Sequence, residues 1–143
     1  MKNSIKISIQ DERIKDLFIR TLNRIPRQSL KEIKELLKGI RIEEEENIKA
    51  TGLTLYTYGA GIERSCEIIF YRGFLSRLSD KAVMGVIAHE LAHVSFFYHH
   101  GDSLENAKMS DKEKEKMVNE TARDFWGFIE EIDKMKEELH LIH

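Results

Sequence analysis

Residues 79–101 read SDKAVMGVIAHELAHVSFFYHHG and predict one long helix in the middle of the chain. Ser79 is a favourable first cap, because its hydroxyl can accept a hydrogen bond from a backbone N–H of the first turn. Asp80 suits the positive end of the helix dipole. Apolar residues recur at helical spacing from 84 to 98 and form a face that we expect to pack on a core. Gly101 is a natural place for the helix to end.

Within this helix, the pentapeptide HELAH (89–93) has the spacing of a zinc site. His89 and His93 are four positions apart, so both imidazoles lie on one face about one turn apart and can bind the same ion. Glu90 lies about 100° round the helix, where it can take a proton from a zinc-bound water without being a ligand. Small residues around Gly85 would let another element approach this face. A surface helix with two solvated histidines would show the same letters.

A zinc ion that performs chemistry needs a third protein ligand. His99 stands at the spacing of a three-histidine pattern, but Phe96 occupies the position where that pattern has a glycine. A helix that continues to Gly101 would turn His99 away from the ion, which argues against it. Cys66 lies in an apolar strand, where a small buried hydrophobic residue is the better interpretation.

The segment NETARDFWG (119–127) supplies the remaining candidate ligand. Glu120 and Asp124 are four positions apart, so they share one face of a helix and repel each other mildly unless something cationic lies opposite. A zinc–histidine cluster would be such a partner. Glu120 would then bind the metal, and Asp124 would accept the spare N–H of a histidine ligand. The alternative is an ordinary solvated acidic face, and the presence of HELAH favours the ligand interpretation.

The composition bounds the remaining possibilities. The 143 residues fit one domain spanning residues 1–143, and 41% hydrophobic with 34% charged residues is neither a disordered nor a membrane composition. The formal net charge of -2 gives no reason to expect nucleic acid binding. No apolar run reaches the length of a membrane span, and no signal peptide is recognisable. Cys66 is the only cysteine, which suits a reducing compartment, and we expect a cytoplasmic protein.

Hydrophobic periodicity predicts an α+β fold, a small mixed β-sheet packed on helices. The first helical region is a pair between Ile14 and Leu37 that is divided or kinked at Pro26 and ends at Gly39. The second is the active helix near 79–100. The third is a long helix near 110–138 that carries the third zinc ligand. The predicted strands are 4–9, 52–58 and 66–71, and the last two form a hairpin. The acidic run at 43–46 is expected to be a solvated strand end or loop, and 103–109 a loop.

HELAH followed by NExxxD on a second helix resembles the gluzincin metallopeptidases, and the short chain is most similar to the small stand-alone minigluzincins. The resemblance covers about residues 66–128. It implies a zincin-like site with zinc ligands His89, His93 and Glu120, Glu90 as the general base and Asp124 as the partner of a ligand histidine.

The resemblance also implies that the strand CEIIFY (66–71) forms the upper rim of the cleft and pairs with extended substrate, by β-augmentation. Larger relatives stabilise the oxyanion with a tyrosine or histidine that has no clear counterpart here. The candidates are Tyr56, Tyr58, Tyr98, His100 and the histidines of the C-terminus.

These features predict a zinc-dependent metallopeptidase that hydrolyses peptides or unstructured proteins through a zinc-bound water activated by Glu90. Two alternatives stay open: a non-catalytic zinc-binding regulatory module, and a zinc hydrolase of non-peptide amides. The tail EELHLIH (137–143) carries two histidines and a free carboxylate. It could reach back to the zinc and leave the enzyme latent or self-associating, or it could be a frayed helix end.

Overall fold

In a computed structural model, the described part of the chain comprises residues 6–44, 51–59, 61–101 and 104–142. Its strands and helices are, in chain order, β1 (Lys6–Ser8), α1 (Glu12–Leu22), α2 (Arg27–Leu36), β2 (Leu37–Glu43), β3 (Gly52–Gly59), β4 (Ile62–Tyr71), α3 (Arg72–Leu75), α4 (Asp80–His100), α5 (Leu104–Lys108), α6 (Asp111–Glu120) and α7 (Ile129–Ile142), with a π-helical turn at Thr121–Phe125. None of the described helices is long and apolar enough to cross a bilayer.

The four described strands form one mixed sheet in the order β1-β2-β4-β3. β1 pairs with β2 and β2 with β4 in parallel, whereas β3 and β4 form an antiparallel hairpin. The predicted α+β fold and the predicted hairpin are confirmed. Within the described residues β3 stands at one edge of the sheet and β4 lies inside it.

Strand β2 was not predicted, and the helix end predicted at Gly39 is wrong. Helix α2 ends at Leu36, and the next residue already begins the strand. Leu37 and Ile40 are buried, and Gly39 pairs with Glu67 of β4. Pairing with two neighbouring strands outweighs the helical spacing that continues to Leu37, because local propensity is a weaker influence than tertiary contacts.

Two further sequence predictions differ from the structure or fall partly outside it. The segment expected to be a loop at 103–109 contains the short helix α5. The predicted strand 4–9 is described as β1 from residue 6 onward, and in the acidic run only Glu43 and Glu44 are described, at the end of β2 and just after it. Residues 4, 5, 45 and 46 lie outside the described residues.

Helix α4 is the central element of the fold, and its predicted bounds are confirmed. The Ser79 side chain accepts a hydrogen bond from the backbone N–H of Ala82, and Gly101 follows the last turn. Most of its residues from Ala82 to Phe96 are buried, so the helix packs around most of its circumference and not along one stripe, and His89 and His93 are only partly buried. A Cβ at Gly85 would collide with the backbone of Glu131, so the small residue lets α7 cross α4 in direct contact.

The single long helix predicted for 110–138 is wrong, because the chain is interrupted between α6 and α7. After the π-helical turn, Gly127 adopts a φ of 83°, a left-handed conformation that ends a helix. The interruption buries Trp126 and Phe128, whereas Phe125 is 80% exposed. Burial of the two aromatic side chains provides a physical reason for the break.

Candidate metal centre and cleft

Two histidines of α4 and one glutamate of α6 meet at a cleft. Nε2 of His89 lies 3.0 Å from Oε2 of Glu115, and Nε2 of His93 lies 3.1 Å from Oε1 of the same carboxylate. One ligand atom from each side chain lies within 4.8 Å of the others. The helix spacing inferred from HELAH therefore does bring both imidazoles together, and α6 supplies a carboxylate between them.

Asn119 lies one turn after Glu115 on α6 and contacts the far side of the first histidine. Its Oδ1 is 2.8 Å from Nδ1 of His89. With a proton on Nδ1, the ring donates to this amide oxygen, and Nε2, which faces the carboxylate, is the nitrogen that can bind a metal. Metal-binding histidines usually hold their second N–H in this way, which fixes the tautomer and the ring orientation.

The charges of the cluster favour a cation. Burial lowers the pKa of His89, but the hydrogen bond to Glu115 and the negative charges of Glu90 and Glu115 outweigh it and raise that pKa above its usual 6.5. Hydrogen bonds with His89 and His93 hold the pKa of the Glu115 carboxyl well below its usual 4.5. The carboxylate is thus ionised between two imidazoles, a setting that stabilises positive charge.

This donor set suits zinc. Two imidazole nitrogens and one carboxylate are ligands that zinc takes in catalytic sites, where three protein ligands leave a further position for water or substrate. Imidazole also favours zinc over the hard cations magnesium and calcium, which prefer oxygen ligands. The three residues therefore fit the ion that the sequence predicts.

Glu90 lies beside the cluster and is buried, with 5% of its surface exposed. Its Oε1 accepts a hydrogen bond of 2.8 Å from the hydroxyl of Thr54 on β3. A Cβ at Gly52 would come within 3.3 Å of Glu90 Cγ, so the strand passes directly over the glutamate. This contact could not be predicted from the sequence, because no pattern in β3 distinguishes Thr54 as the residue that faces α4.

The cleft, about 640 Å³ in volume, is bounded by four elements. One wall is the start of β3 with Thr51, and the floor is α4 with the two histidines and Glu90. Helix α6 contributes polar side chains, and α7 contributes the apolar Met135 and Leu139. An open cleft with both polar and apolar walls at a metal-binding cluster is the usual form of a small-substrate or peptide site.

The sequence matches the family model described as Peptidase family M48 over residues 27–117, well over half of the chain. The chain belongs to peptidase family M48. It is therefore a metallopeptidase, a hydrolase of a family of zinc metallopeptidases. The chain has no significant match among curated proteins or solved structures.

The stretch matched to family M48 contains α4 with its HELAH sequence and also Glu115, and it ends before Glu120. The structure places Glu120 as an exposed residue outside the group formed by the two histidines and Glu115. Asp124 is exposed and bonds to Arg123, with 2.8 Å between Oδ1 and Nη1. Asn119 makes the contact with His89 that the sequence predicts for Asp124. The metal-binding role of Glu120 and the supporting role of Asp124 stay predictions.

The signal that could have pointed to Glu115 and Asn119 was weak. They are four positions apart, as Glu120 and Asp124 are, but Glu115 lies within a run of alternating acidic residues and lysines, DKEKEK at 111–116, and Asn119 comes shortly after it. Such a run is typical of a solvated helix face and singles out no residue.

The other candidate ligands lie elsewhere. Nε2 of His99 is 3.0 Å from Oε2 of Glu32 on α2, so this histidine faces away from the cleft, as its position on the helix predicts. Cys66 is buried, and burial raises the pKa of its thiol to about 12, which keeps the sulfur protonated and a poor ligand.

The structure does not bring the tyrosines considered for the oxyanion to the cleft. Tyr56 stacks on Phe97 with ring centroids 4.7 Å apart, and Tyr58 stacks on Tyr56. The hydroxyl of Tyr98 hydrogen-bonds to Glu35, and this bond raises its pKa.

The rim of the cleft is β3 and not β4. The predicted substrate-pairing strand 66–71 belongs to β4, whose two neighbours are β2 and β3. Both of its edges are therefore used within the sheet, and it cannot add a further strand. That prediction is wrong, and β3 lies at the edge next to the histidines.

Proposed function

We propose that this member of family M48 is a zinc-dependent peptidase in which His89 and His93 bind the ion and Glu90 is the general base. The observation that carries the proposal is the convergence of His89, His93 and the Glu115 carboxylate beside the buried Glu90 in one cleft. A zinc ion bound there would polarise the scissile carbonyl and lower the pKa of the attacking water.

The chain's own residues would perform the remaining steps. Glu90 would take the proton of the attacking water and pass it to the leaving amine, since its carboxylate lies next to the histidines without sharing their ligand positions. Asn119 would keep the proton of His89 on Nδ1, so that Nε2 stays free to bind. The apolar Met135 and Leu139 would form a wall for a substrate side chain.

Extended peptide or unstructured protein is the substrate that this cleft favours. Among the described strands, β3 has one edge without a neighbour, and this edge could pair with an extended chain through backbone hydrogen bonds. Leu53 and Leu55 on this strand are 44% and 41% exposed. An extended substrate would therefore lie along β3 with its scissile bond above the two histidines.

Two glutamates of α6 compete for the third ligand position. The geometry supports Glu115, whose two oxygens already contact both histidines. The resemblance to gluzincins supports Glu120 through the NExxxD motif. We take Glu115 as the third ligand and keep Glu120 as the alternative that the metal content of variants must exclude.

The test is hydrolysis of an unfolded protein, such as reduced casein, by the purified chain before and after removal of metal with a chelator. Cleavage that stops on chelation and returns with zinc supports the proposal. A protein that binds zinc and loses stability on chelation, yet never cleaves casein or short peptides, would instead be a non-catalytic zinc module. Activity limited to small non-peptide amides would support the third alternative.

A further inference from the structure

We propose that Thr54 positions the carboxylate of Glu90 and so links the general base to the strand along which substrate would lie. This inference rests on the proposed peptidase function. Thr54 is not a ligand and does not touch the reacting atoms in our account. It acts through the glutamate that it holds.

The contact is short and joins elements distant in sequence. Thr54 Oγ1 lies 2.8 Å from Oε1 of Glu90 and 3.2 Å from the backbone oxygen of the same residue. A hydroxyl has a single proton to donate, and the shorter distance identifies the carboxylate as its main acceptor. A hydrogen bond to an ionised carboxylate is stronger than one between neutral groups.

The backbone of β3 passes close to Glu90 at this contact. Gly52, two residues before Thr54, lies so close to Glu90 that a Cβ there would come within 3.3 Å of its Cγ and 3.2 Å of Ile69 O. Side chains alternate along a strand, so Gly52 and Thr54 share the face that meets α4. Leu53 and Leu55 lie on the opposite face and are exposed.

The arrangement restricts the rotamers of Glu90. Glutamate has three rotatable side-chain bonds, and a general base is effective only when its oxygen stays within hydrogen-bond reach of the proton it accepts. The Thr54 hydroxyl fixes one carboxylate oxygen, which leaves the other available to the cleft. Because Thr54 is part of β3, substrate that pairs with this strand would also settle the position of the base.

Loss of the hydroxyl should therefore slow catalysis more than it weakens substrate binding. We expect Thr54→Val to lower kcat by about 10- to 100-fold, with KM changed by less than about three-fold and zinc content unchanged. Thr54→Ser keeps the donor and should restore most of kcat. Ser76→Ala removes an exposed hydroxyl that donates to the backbone oxygen of Gly73 and does not line the cleft, so it is the control and should keep wild-type kcat.

A second measurement needs no activity. Thermal unfolding of the metal-free protein, with Thr54→Val and Glu90→Ala made singly and together, forms a double-mutant cycle. Thr54→Val should lower Tm by about 3–6 °C more in the wild-type protein than in the Glu90→Ala variant. Equal shifts in both backgrounds would show that the two side chains do not interact.

The outcomes separate this inference from the function on which it rests. A wild-type protein that holds zinc and cleaves nothing would overturn the proposed function and the role of Thr54 together. An active wild type with the same kcat in Thr54→Val would overturn the role of Thr54 alone. A fall in kcat that Thr54→Ser does not reverse would also contradict it, because the hydroxyl would then not be the cause.

Discussion

Helix α4 runs without interruption over 21 residues, whereas the segment from Ser110 to Ile142 is divided into α6, a π-helical turn and α7. The sequence predicts one long helix in each region, near 79–100 and near 110–138. In α4, the cap at Ser79, the apolar spacing and Gly101 all indicate the same bounds, and the structure agrees with each of them. In the second segment, the cap at Ser110 is also found, with its side chain accepting from the N–H of Glu113. The helix that it begins nevertheless ends ten residues later.

The difference lies in what each segment contacts. Helix α4 is buried along most of its length, so its sequence must satisfy packing in every direction and carries strong signals. Helix α6 has one buried residue, Val118, and its charged surface gives little information about its orientation. The half of the site on α4 was therefore predictable from HELAH, and the half on α6 was not.

The largest expected effect concerns the half of the site on α6, which could not be predicted from the sequence. Glu115→Gln should remove most of the bound zinc, because it replaces a charged ligand between the two histidines by a neutral one. The loss of affinity should exceed the roughly 10- to 100-fold typical of an outer-shell partner. Elemental analysis of the folded variants measures it, with Glu120→Gln as the matched control. Zinc retained in Glu115→Gln and lost in Glu120→Gln would contradict the geometry and support the NExxxD motif.

A second prediction concerns the point where α7 crosses α4. Gly85→Ala should destabilise the protein by about 1–3 kcal/mol, because the new Cβ meets the backbone of Glu131. Gly127→Ala is a useful contrast, since a Cβ there meets nothing within 4 Å and is disfavoured only by the φ of 83°. We expect about 1 kcal/mol for that change. Denaturant unfolding measures both, and a tolerated alanine at position 85 would show that α7 does not lie against α4 there.

Stability should also depend on pH through the buried carboxylate of α7. Burial raises the pKa of Glu131. The hydrogen bond from Arg24, a backbone hydrogen bond and the positive charges of Arg24 and Lys81 together outweigh burial and hold the pKa below its usual 4.5. A carboxyl with a lowered pKa contributes stability above its unfolded pKa, and this contribution is lost as pH falls through the folded value. Unfolding of Glu131→Gln between about pH 3 and 7 should therefore vary less than that of wild type. Glu137→Gln, an exposed site on the same helix, should keep the wild-type dependence.

The smallest expected effect concerns the C-terminus. We propose that the tail can occupy the cleft, because Leu139 already lines it. Removal of residues 140–143 should raise activity a few-fold if the tail competes with substrate, and should leave stability nearly unchanged. The cut must spare Glu138, whose Oε1 accepts a 2.8 Å hydrogen bond from the backbone N–H of Ser79 at the start of α4. Unchanged activity together with an unchanged oligomeric state by light scattering would dismiss the tail as an inhibitor or a self-association element.

The contrast between α4 and α6 also holds for the rest of the fold. Features set by local patterns could be predicted from the sequence, and features set by tertiary contacts could not. The α+β class, the hairpin and α4 rest on local patterns that extend over many residues. Strand β2 was missed because its residues also fit a helical spacing, and only their pairing with β1 and β4 decides between the two. The interruption at Trp126–Phe128 was missed because it depends on burial of side chains against distant elements.

Within the site, the residues on α4 were predictable, and those contributed by other elements were not. His89, Glu90 and His93 follow from their spacing on one helix. Thr54 and Asn119 contact them from two other elements, and no short pattern in their own segments indicates these contacts. The register between α4 and its neighbours is a tertiary property.

In the proposed mechanism, His89 and His93 hold a zinc ion for which Glu90 is the general base. The most direct test compares casein hydrolysis and zinc content in wild type and Glu90→Gln. We predict that the variant keeps its zinc and its fold and loses about 10²- to 10⁴-fold in kcat, the usual contribution of a general base. Equal activity in the variant with zinc bound would show that Glu90 is not the general base.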